Sequence, residues 1–322
     1  MANKPTKKQV RAAKKAISGI PFLILLLIVV VAVCVVLVLE FAGIVDIFKE
    51  EPEETPREPY EVSGGTVEIH MIDIGQGDSI LIMAPEGNIL FDAGENKKES
   101  ETKLKNYLDG VGVKEIDYFI LSHHDADHIG GADMVIDTYT VSTVIMEDWD
   151  SSYGNKTGVY NSVIESISKS EGTETKNYDP GDKLSLGELH LEFLGPVKEF
   201  NDKNEDSIVV RVDFGENSIL MTGDAEEGAE EELLKTYSTA ELDCDVLKVG
   251  HHGSSSSTTV DFLKAVSPEY ALISCGVDNK YGHPHNETMT ALNAENVKIH
   301  RTDETGNIVL VFDGKEITVK DE

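Results

Sequence analysis

Residues 121–131 read Leu-Ser-His-His-Asp-Ala-Asp-His-Ile-Gly-Gly, so five side chains able to bind a metal fall within six positions. They follow the apolar run 116–121, which is typical of a buried strand. Gly130 and Gly131 let the backbone turn into a helix predicted over 131–139. Imidazole nitrogens and carboxylate oxygens together suit divalent metals of intermediate hardness. The segment therefore predicts a metal site at a strand end, with a solvated polar loop as the alternative.

Three further motifs place a Gly-flanked His or Asp after a predicted strand. They are Thr-Gly-Asp at 222–224, Gly-His-His-Gly-Ser at 250–254 and Tyr-Gly-His-Pro at 281–284. Each motif alone is typical of an ordinary turn. Because the carboxyl ends of strands in α/β sheets are where ligands bind, the four motifs together predict one site.

The order of the predicted elements indicates an α/β fold. Three strands within residues 67–94 form a meander, and strands then alternate with helices through 100–146 and again through 225–319. The middle of the chain is less regular, with one helix predicted near 158–169 and three strands between 189 and 221. This arrangement predicts two sheets packed face to face with helices outside.

The motif set resembles the metallo-β-lactamase superfamily, and within it the soluble hydrolase domain of ComEC-type DNA-uptake competence proteins. The resemblance rests on H-x-D-x-D-H-x-G-G, T-G-D, H-H-G-S and G-H-P in this order, and on Ile-Asp-Ile-Gly-Gln-Gly-Asp-Ser at 72–79. It covers residues 66–320. It implies a four-layer αββα sandwich, a hydrolytic activity and a site for two divalent metal ions.

The resemblance also implies a ligand set. His123 and Asp125 would hold one metal, Asp127, His128 and His283 would hold the other, and Asp224 would bridge both. Two departures from the superfamily pattern concern the first metal: Asp125 replaces a histidine, and Asp206 or Ser207 stands about where a third histidine is usual. An oxygen-richer site makes Mn²⁺ or Mg²⁺ plausible beside Zn²⁺.

Several residues are expected to support the chemistry. Asp127 or Asp224 would orient the attacking hydroxide, and either His251 or His252 would act as the general acid. The hydroxyl-rich loop that begins with Ser254 and Ser255 is expected either to bind phosphate or to cap the next helix. The residues expected to line the cleft or to support the metal ligands are Asp73, Gln76, Asp78, Asp92 and Ser207.

The N-terminus predicts a membrane anchor. Residues 1–19 carry six basic side chains and no acid, and residues 20–39 are uninterruptedly apolar, which is long enough to span a bilayer. A cleaved signal peptide is disfavoured, because its apolar region is shorter and is followed by small residues. The positive-inside bias predicts a single-pass protein of the cell membrane with residues 1–19 cytoplasmic, an anchor at 20–41, a linker at 42–65 and an exterior catalytic domain.

Composition limits the functions. A formal net charge of −31 disfavours general affinity for polyanions. Trp149 is the single tryptophan, basic clusters outside the tail are short, and no aromatic and basic groove is evident from the sequence. The three cysteines predict no disulfide framework, and Cys244 and Cys275 are expected in packed interiors.

The favoured function is an extracytoplasmic phosphodiesterase or nuclease with DNA or another phosphodiester as substrate. One span cannot form a translocation pore, so a role in DNA uptake would need a separate membrane channel. The alternatives are hydrolysis of another bond, such as a cell-envelope phosphoester, an ester or a lactam, and a non-catalytic anchored binding or sensing module. The oligomeric state is left open.

Overall fold

The computed structural model of the chain describes residues 59–147 and 158–320. The predicted tail, the predicted anchor, most of the linker and Trp149 lie outside these ranges. Within the ranges, no helix is both long enough and apolar enough to cross a membrane.

The strands of the described residues form two sheets. In chain order they are β1 (Val67–Met71), β2 (Ile80–Ala84), β3 (Gly87–Phe91), β4 (Glu115–Ile120), β5 (Thr140–Ile145), β6 (Glu174–Lys176), β7 (Lys183–Leu186), β8 (Leu189–Gly195), β9 (Val209–Phe214), β10 (Asn217–Met221), β11 (Val246–Lys248), β12 (Tyr270–Ile273), β13 (Lys298–Arg301), β14 (Ile308–Phe312) and β15 (Ile317–Lys320). The first sheet runs β15-β14-β1-β2-β3-β4-β5-β6 and the second β13-β12-β11-β10-β9-β8-β7.

Each sheet has an antiparallel and a parallel part. In the first sheet the pairs from β15 to β3 are antiparallel and those from β3 to β6 are parallel. In the second sheet the pairs from β7 to β10 are antiparallel and those from β10 to β13 are parallel. The inner parallel strands β11 and β12 are buried along their whole length, because the other sheet covers one face and helices cover the other.

Helices cover the outer faces of the sheets. The longer ones are Lys98–Val111, Ala132–Thr138, Gly158–Lys169, Glu227–Thr236, Val260–Val266 and Asn286–Ala294. One apolar core contains side chains of both sheets, such as Phe91 and Phe193. A second core joins the first sheet to helices through Leu104 and Val135, and a third joins the second sheet to helices through Leu233 and Phe262. The expected four-layer αββα sandwich is confirmed for the described residues.

Where the structure differs from the expected elements, the sequence pattern is weak. Strand β6 is exposed along its length, and β7 is short and half exposed, so neither has a buried apolar face to reveal it. By contrast, the helix expected at 158–169 is found at Gly158–Lys169. Cys244 and Cys275 are both buried free thiols, as expected.

The topology brings the polar motifs together. The segments that follow β4, β10, β11 and β12 leave the carboxyl ends of strands in the parallel parts; β4 belongs to the first sheet and the other three belong to the second. Asp92 follows β3, and Asp78 lies on the turn between β1 and β2. The site is therefore assembled from both sheets at one edge of the sandwich.

Candidate metal centre

Four buried side chains converge at this edge and could hold a metal ion. They are Asp78, His128, Asp224 and His252, here called the acid-histidine cluster, and one potential ligand atom of each lies within 4.8 Å of the others. Two of them come from segments of the first sheet and two from segments of the second. The four lie far apart in the chain, so the fold alone brings them together.

Several atoms in and beside the cluster lack hydrogen-bond partners. The Nε2 atoms of His123, His128 and His252 and Oδ1 of Asp224 are buried and unpaired, although His128 Nε2 lies 3.1 Å from Asp224 Oδ1. Burying a polar atom without a partner is costly. A divalent cation would satisfy nitrogen and oxygen atoms of this kind at once, so the residues present fit a metal ion.

His128 is held in place by Asp92. Its Nδ1 lies 2.8 Å from Asp92 Oδ2, and Asp92 also accepts hydrogen bonds from the backbone N–H and the hydroxyl of Ser122 at 2.8 and 2.6 Å. With Nδ1–H donating to Asp92, Nε2 is left to face the cluster. Asp92 thus lies where the sequence predicts a support for a metal ligand.

His252 is held in the same manner by a backbone carbonyl and Asp78. Its Nδ1 donates to the Ser274 carbonyl at 3.0 Å and lies 3.3 Å from Asp78 Oδ1. Because a carbonyl can only accept, Nδ1 carries a proton, and Nε2 is the nitrogen left to face the cluster. Nε2 points between Asp127 Oδ2 and Asp224 Oδ1, each 3.6 Å away. His252 therefore has the orientation of a metal ligand.

A buried lysine, Lys248, supports this arrangement by pairing with Asp78. The ammonium of Lys248 lies 2.6 Å from Asp78 Oδ2 and donates to the carbonyls of Gly223 and Val249 at 3.2 and 2.8 Å. Asp78 is thus engaged by Lys248 and by Nδ1 of His252, which makes it a support for the ligands. Sequence reasoning missed Lys248, although a lysine inside the apolar run 246–249 is an unusual feature.

His251 occupies a different position from His252. Its side chain is half-buried at the rim, where Nδ1 contacts Glu226 Oε1 at 2.7 Å and Nε2 lies 3.7 Å from Asp224 Oδ2. The hydrogen bond from His251 keeps the pKa of Glu226 below its usual range. Both histidines have left-handed backbone, with φ of 45° and 54°, which is strained for residues other than glycine and concentrates at functional sites. Glu226 is a second residue that sequence reasoning missed.

The residues predicted for the first metal form a looser group. His123 Nδ1 lies 3.0 Å from the Ser122 hydroxyl and 3.3 Å from that of Ser207, so Ser207 and not Asp206 contacts it. Asp125 accepts a hydrogen bond from Lys203 at 2.6 Å. Neither His123 nor Asp125 belongs to the acid-histidine cluster.

His283 also lies outside the cluster. Its ring centroid is 5.4 Å from that of His251 and 6.2 Å from that of His252. Its Nδ1 is buried without a hydrogen-bond partner, and its role as a metal ligand stays a prediction.

The pKa values of the histidines in and beside the cluster depend on their burial and on the neighbouring charges. Burial opposes the protonated form of His252, but the carboxylates of Asp224 and Asp78 outweigh it and raise the pKa of His252 to about 9. For His128 burial also opposes the charge, while Asp224 and Asp92 raise the pKa well above its usual value. By contrast, burial and the charge of His128 lower the pKa of His123 to about 3. A metal ion must therefore displace protons to bind here.

The pKa of Asp127 favours an ionised carboxylate. Burial would raise it, but the hydrogen bond from His252 and the charge of His128 hold the pKa of Asp127 well below its usual range. The carboxylate is therefore available as an oxygen ligand or as an acceptor for a bound water.

The remaining predicted residues lie around the cluster. Asp73 accepts from the Gly75 N–H and pairs with Lys103, both at 3.0 Å, so it supports no metal ligand. The hydroxyl of Ser254 bonds to that of Ser256 at 2.8 Å, and that of Ser255 bonds to His285 at 3.1 Å. These loop hydroxyls thus have partners within the protein, and Thr259 caps the helix that follows.

Comparisons with known proteins agree with this geometry. Residues 72–277 match the family described as the Metallo-beta-lactamase superfamily. The chain is 33% identical over 258 residues to ComE operon protein 3 of Bacillus subtilis (75% of this chain, 32% of that protein). It is also 33% identical over 270 residues to Competence protein ComA of Neisseria gonorrhoeae (84% of this chain, 34% of that protein).

The chain thus spans about a third of the length of these relatives. Among solved structures, the metallo-beta-lactamase fold protein YhfI from Bacillus subtilis superimposes with a TM-score of 0.50 at 14% identity, covering 80% of this chain and all of that one. That likeness concerns the fold. The family match over 72–277, together with the cluster at the sheet edge, shows that the chain belongs to the metallo-β-lactamase superfamily.

Proposed function

We propose that this chain is a metal-dependent phosphodiesterase, with DNA as the expected substrate. The observation that carries the proposal is that a histidine at the rim lies next to buried ligand atoms that have no hydrogen-bond partner. Nε2 of His252 and Oδ1 of Asp224 face each other at 3.6 Å, while Nε2 of His251 approaches the other oxygen of Asp224 at 3.7 Å.

The residues that would hold the metal are Asp127, His128, Asp224 and His252. A divalent cation held there would supply positive charge and a water of lowered pKa. Asp127, whose carboxylate stays ionised, would orient the attacking water by accepting a hydrogen bond from it. Asp92 and Asp78 keep His128 and His252 aimed at the site.

His251 is the residue placed to protonate the leaving oxygen. It is half-buried at the rim, and Glu226 holds its Nδ1, which leaves Nε2 directed toward the cluster. An imidazole that is fixed by a carboxylate and open on the other nitrogen is suited to general acid catalysis. This geometry supports His251 rather than His252 as the general acid.

A phosphodiester is favoured over a lactam for two reasons. The first reason is that Asp125 and Ser207 stand at the first metal position where lactam-cleaving enzymes of this superfamily usually have nitrogen ligands. The names of two relatives, ComE operon protein 3 and Competence protein ComA, refer to competence, which supports DNA as the substrate.

The proposal includes the location and partners of the chain. The basic residues before 20–41 and the acidic ones after it support a single-pass protein with its catalytic domain outside the cell. In that setting the domain would cut DNA at the surface, and a separate membrane channel would carry any product inward.

The test uses the full chain, stripped of metal by a chelator. We expect that Mn²⁺, Mg²⁺ or Zn²⁺ restores cleavage of bis(p-nitrophenyl) phosphate and of single- and double-stranded DNA. Asp224→Asn should lower the rate by about 100-fold or more, because it removes charge and a ligand. Asp137→Asn, an exposed change of the same chemistry on the helix Ala132–Thr138, is the control. Intact cells carrying the chain should degrade added DNA without permeabilisation.

Two results would contradict the proposal. A metal-loaded wild type that hydrolyses nitrocefin or an ester but neither phosphodiester would identify a different bond. Degradation of added DNA only after permeabilisation would contradict the exterior location.

A further inference from the structure

A cavity of about 440 Å³ lies beside the metal centre. Its walls come from three segments that are distant in the chain, namely 73–76, 95–103 and 276–281. The volume lies within the usual range for small-molecule sites. The described residues thus include a nucleotide-sized space that the catalytic residues do not fill.

The cavity adjoins the metal centre on two sides. Gln76 lines it and is two residues from Asp78, and the intervening Gly77 packs so closely that any Cβ there would overlap the carbonyl oxygen of Asp127. On the other side the ring of Tyr281 stacks against His283, with centroids 5.5 Å apart and an interplanar angle of 23°. A ligand in the cavity would therefore lie next to a group bound at the metal centre.

Gln76 joins two walls of the cavity. Its Oε1 accepts a hydrogen bond from the Gly276 N–H at 3.2 Å, which holds the segment 73–76 against the segment 276–281.

Tyr281 and Lys280 supply an aromatic face and a cation. Tyr281 is 50% exposed, and the ammonium of Lys280 lies 4.7 Å from its ring centroid. Two other lysines of the wall are neutralised by acids, Lys97 by Glu95 at 2.6 Å and Lys103 by Asp73 at 3.0 Å. An exposed ring with a cation beside it is the pairing that binds a base together with its phosphate.

Local charge also favours such a ligand. The wall contains three lysines and three acidic residues, while the whole chain has a formal net charge of −31. The cavity is thus a locally neutral opening in an acidic protein. A phosphodiester chain would meet less repulsion here than the overall charge suggests.

We propose that this cavity is a nucleotide subsite, which holds the nucleotide next to the phosphodiester that is cut. The base stacks on Tyr281, and the backbone phosphate lies near Lys280. The subsite rests on the proposed phosphodiesterase function and assigns its substrate class as single-stranded nucleic acid. Sequence reasoning found no aromatic and basic groove, because Lys280 and Tyr281 are adjacent in the chain but the other walls of the cavity join them only through folding.

Equilibrium binding tests the subsite directly. The probe is a fluorescein-labelled oligothymidylate of eight nucleotides, titrated by anisotropy with the full chain in the presence of a chelator, so that no cleavage occurs. Tyr281→Ala should raise the Kd about 10-fold, and Tyr281→Phe should keep the wild-type value because the ring is retained. Lys280→Gln should weaken binding and reduce its salt dependence, whereas Lys315→Gln, an exposed lysine on the β14–β15 turn, is the control.

A probe of the same length without bases separates stacking from charge. It should bind wild type about 10-fold more weakly than oligothymidylate, and Tyr281→Ala should not change its Kd further. Equal Kd values of wild type and Tyr281→Ala for oligothymidylate would overturn the subsite, as would no wild-type binding at millimolar protein.

Hydrolysis of bis(p-nitrophenyl) phosphate by metal-loaded wild type, measured alongside, tests the proposed function alone. If wild type hydrolyses this substrate and Tyr281→Ala leaves oligonucleotide binding unchanged, the proposed function stands and the subsite does not. If Tyr281→Ala weakens binding but wild type does not hydrolyse the substrate, the subsite stands and the proposed function does not.

Discussion

At the residue scale, Asp92 is the side chain that best tests the metal centre. Its carboxylate accepts from His128 and from Ser122, so Asp92→Asn keeps the shape and removes the charge. We expect Zn²⁺ affinity to fall by about 10- to 100-fold, because the ligand loses both orientation and basicity. Competition with a chromophoric chelator measures the affinity.

Asp73→Asn is the matched control for Asp92. Both aspartates were possible supports of the metal histidines on sequence grounds, but the structure pairs Asp73 with Lys103. Its substitution should leave Zn²⁺ affinity unchanged. Equal losses in the two variants would mean that Asp92 has no special role in holding His128.

At the scale of elements, Glu230 joins two helices. It lies on Glu227–Thr236, and its buried carboxyl accepts the N–H groups of Thr258 and Thr259, which precede the helix Val260–Val266. Burial raises the pKa of Glu230 from 4.5 to about 7. Below pH 4.5 the carboxyl is protonated in both the folded and the unfolded chain. Between pH 4.5 and pH 7 the carboxyl is ionised in the unfolded chain but still protonated in the folded one, so the free energy of unfolding falls as pH rises. Above pH 7 it falls no further from this cause.

Glu230→Gln should remove this fall in stability. Urea unfolding between pH 4.5 and 8 should show the wild type losing up to about 3 kcal/mol relative to the variant as pH rises to 7. Glu227→Gln, an exposed change on the same helix, should track the wild type. Parallel pH profiles for wild type and Glu230→Gln would refute the assigned cause.

At the scale of the whole molecule, one buried ion pair connects the two sheets. Asp78 follows β1 of the first sheet and Lys248 ends β11 of the second, and both side chains are 0% exposed. Lys248→Met would leave the Asp78 charge buried without its partner. We expect the free energy of unfolding to drop by about 3–5 kcal/mol.

Replacing both partners, as Lys248→Met with Asp78→Asn, should recover part of this loss, because no buried charge then remains. Lys169→Met is the control, since Lys169 pairs with Glu165 at 2.5 Å with both side chains mostly exposed (67% and 65%), and such exposed pairs contribute little to stability. A double variant no more stable than Lys248→Met would argue against charge burial as the cause.

The predictable part of the fold was the part with strong local pattern. The helix Gly158–Lys169 was expected near its observed bounds, whereas the exposed strand β6 gave no signal. At the site, His128 and Asp224 stood out because His and Asp cluster among glycines after apolar runs. Glu226 and Lys248 did not stand out, because the role of each depends on a partner that is distant in the chain.

The sequence by itself determined the superfamily, the sandwich and the segments that carry the site, because these depend on apolar periodicity and on short motifs that are local in the chain. Only the tertiary structure decided that His252 points inward and His251 to the rim, that Asp78 and Lys248 support the cluster, and that Tyr281 and Gln76 share a cavity. The physical reason is that the direction of a side chain and the identity of its partner depend on how separate segments pack. Spacing along one segment carries no information about that packing.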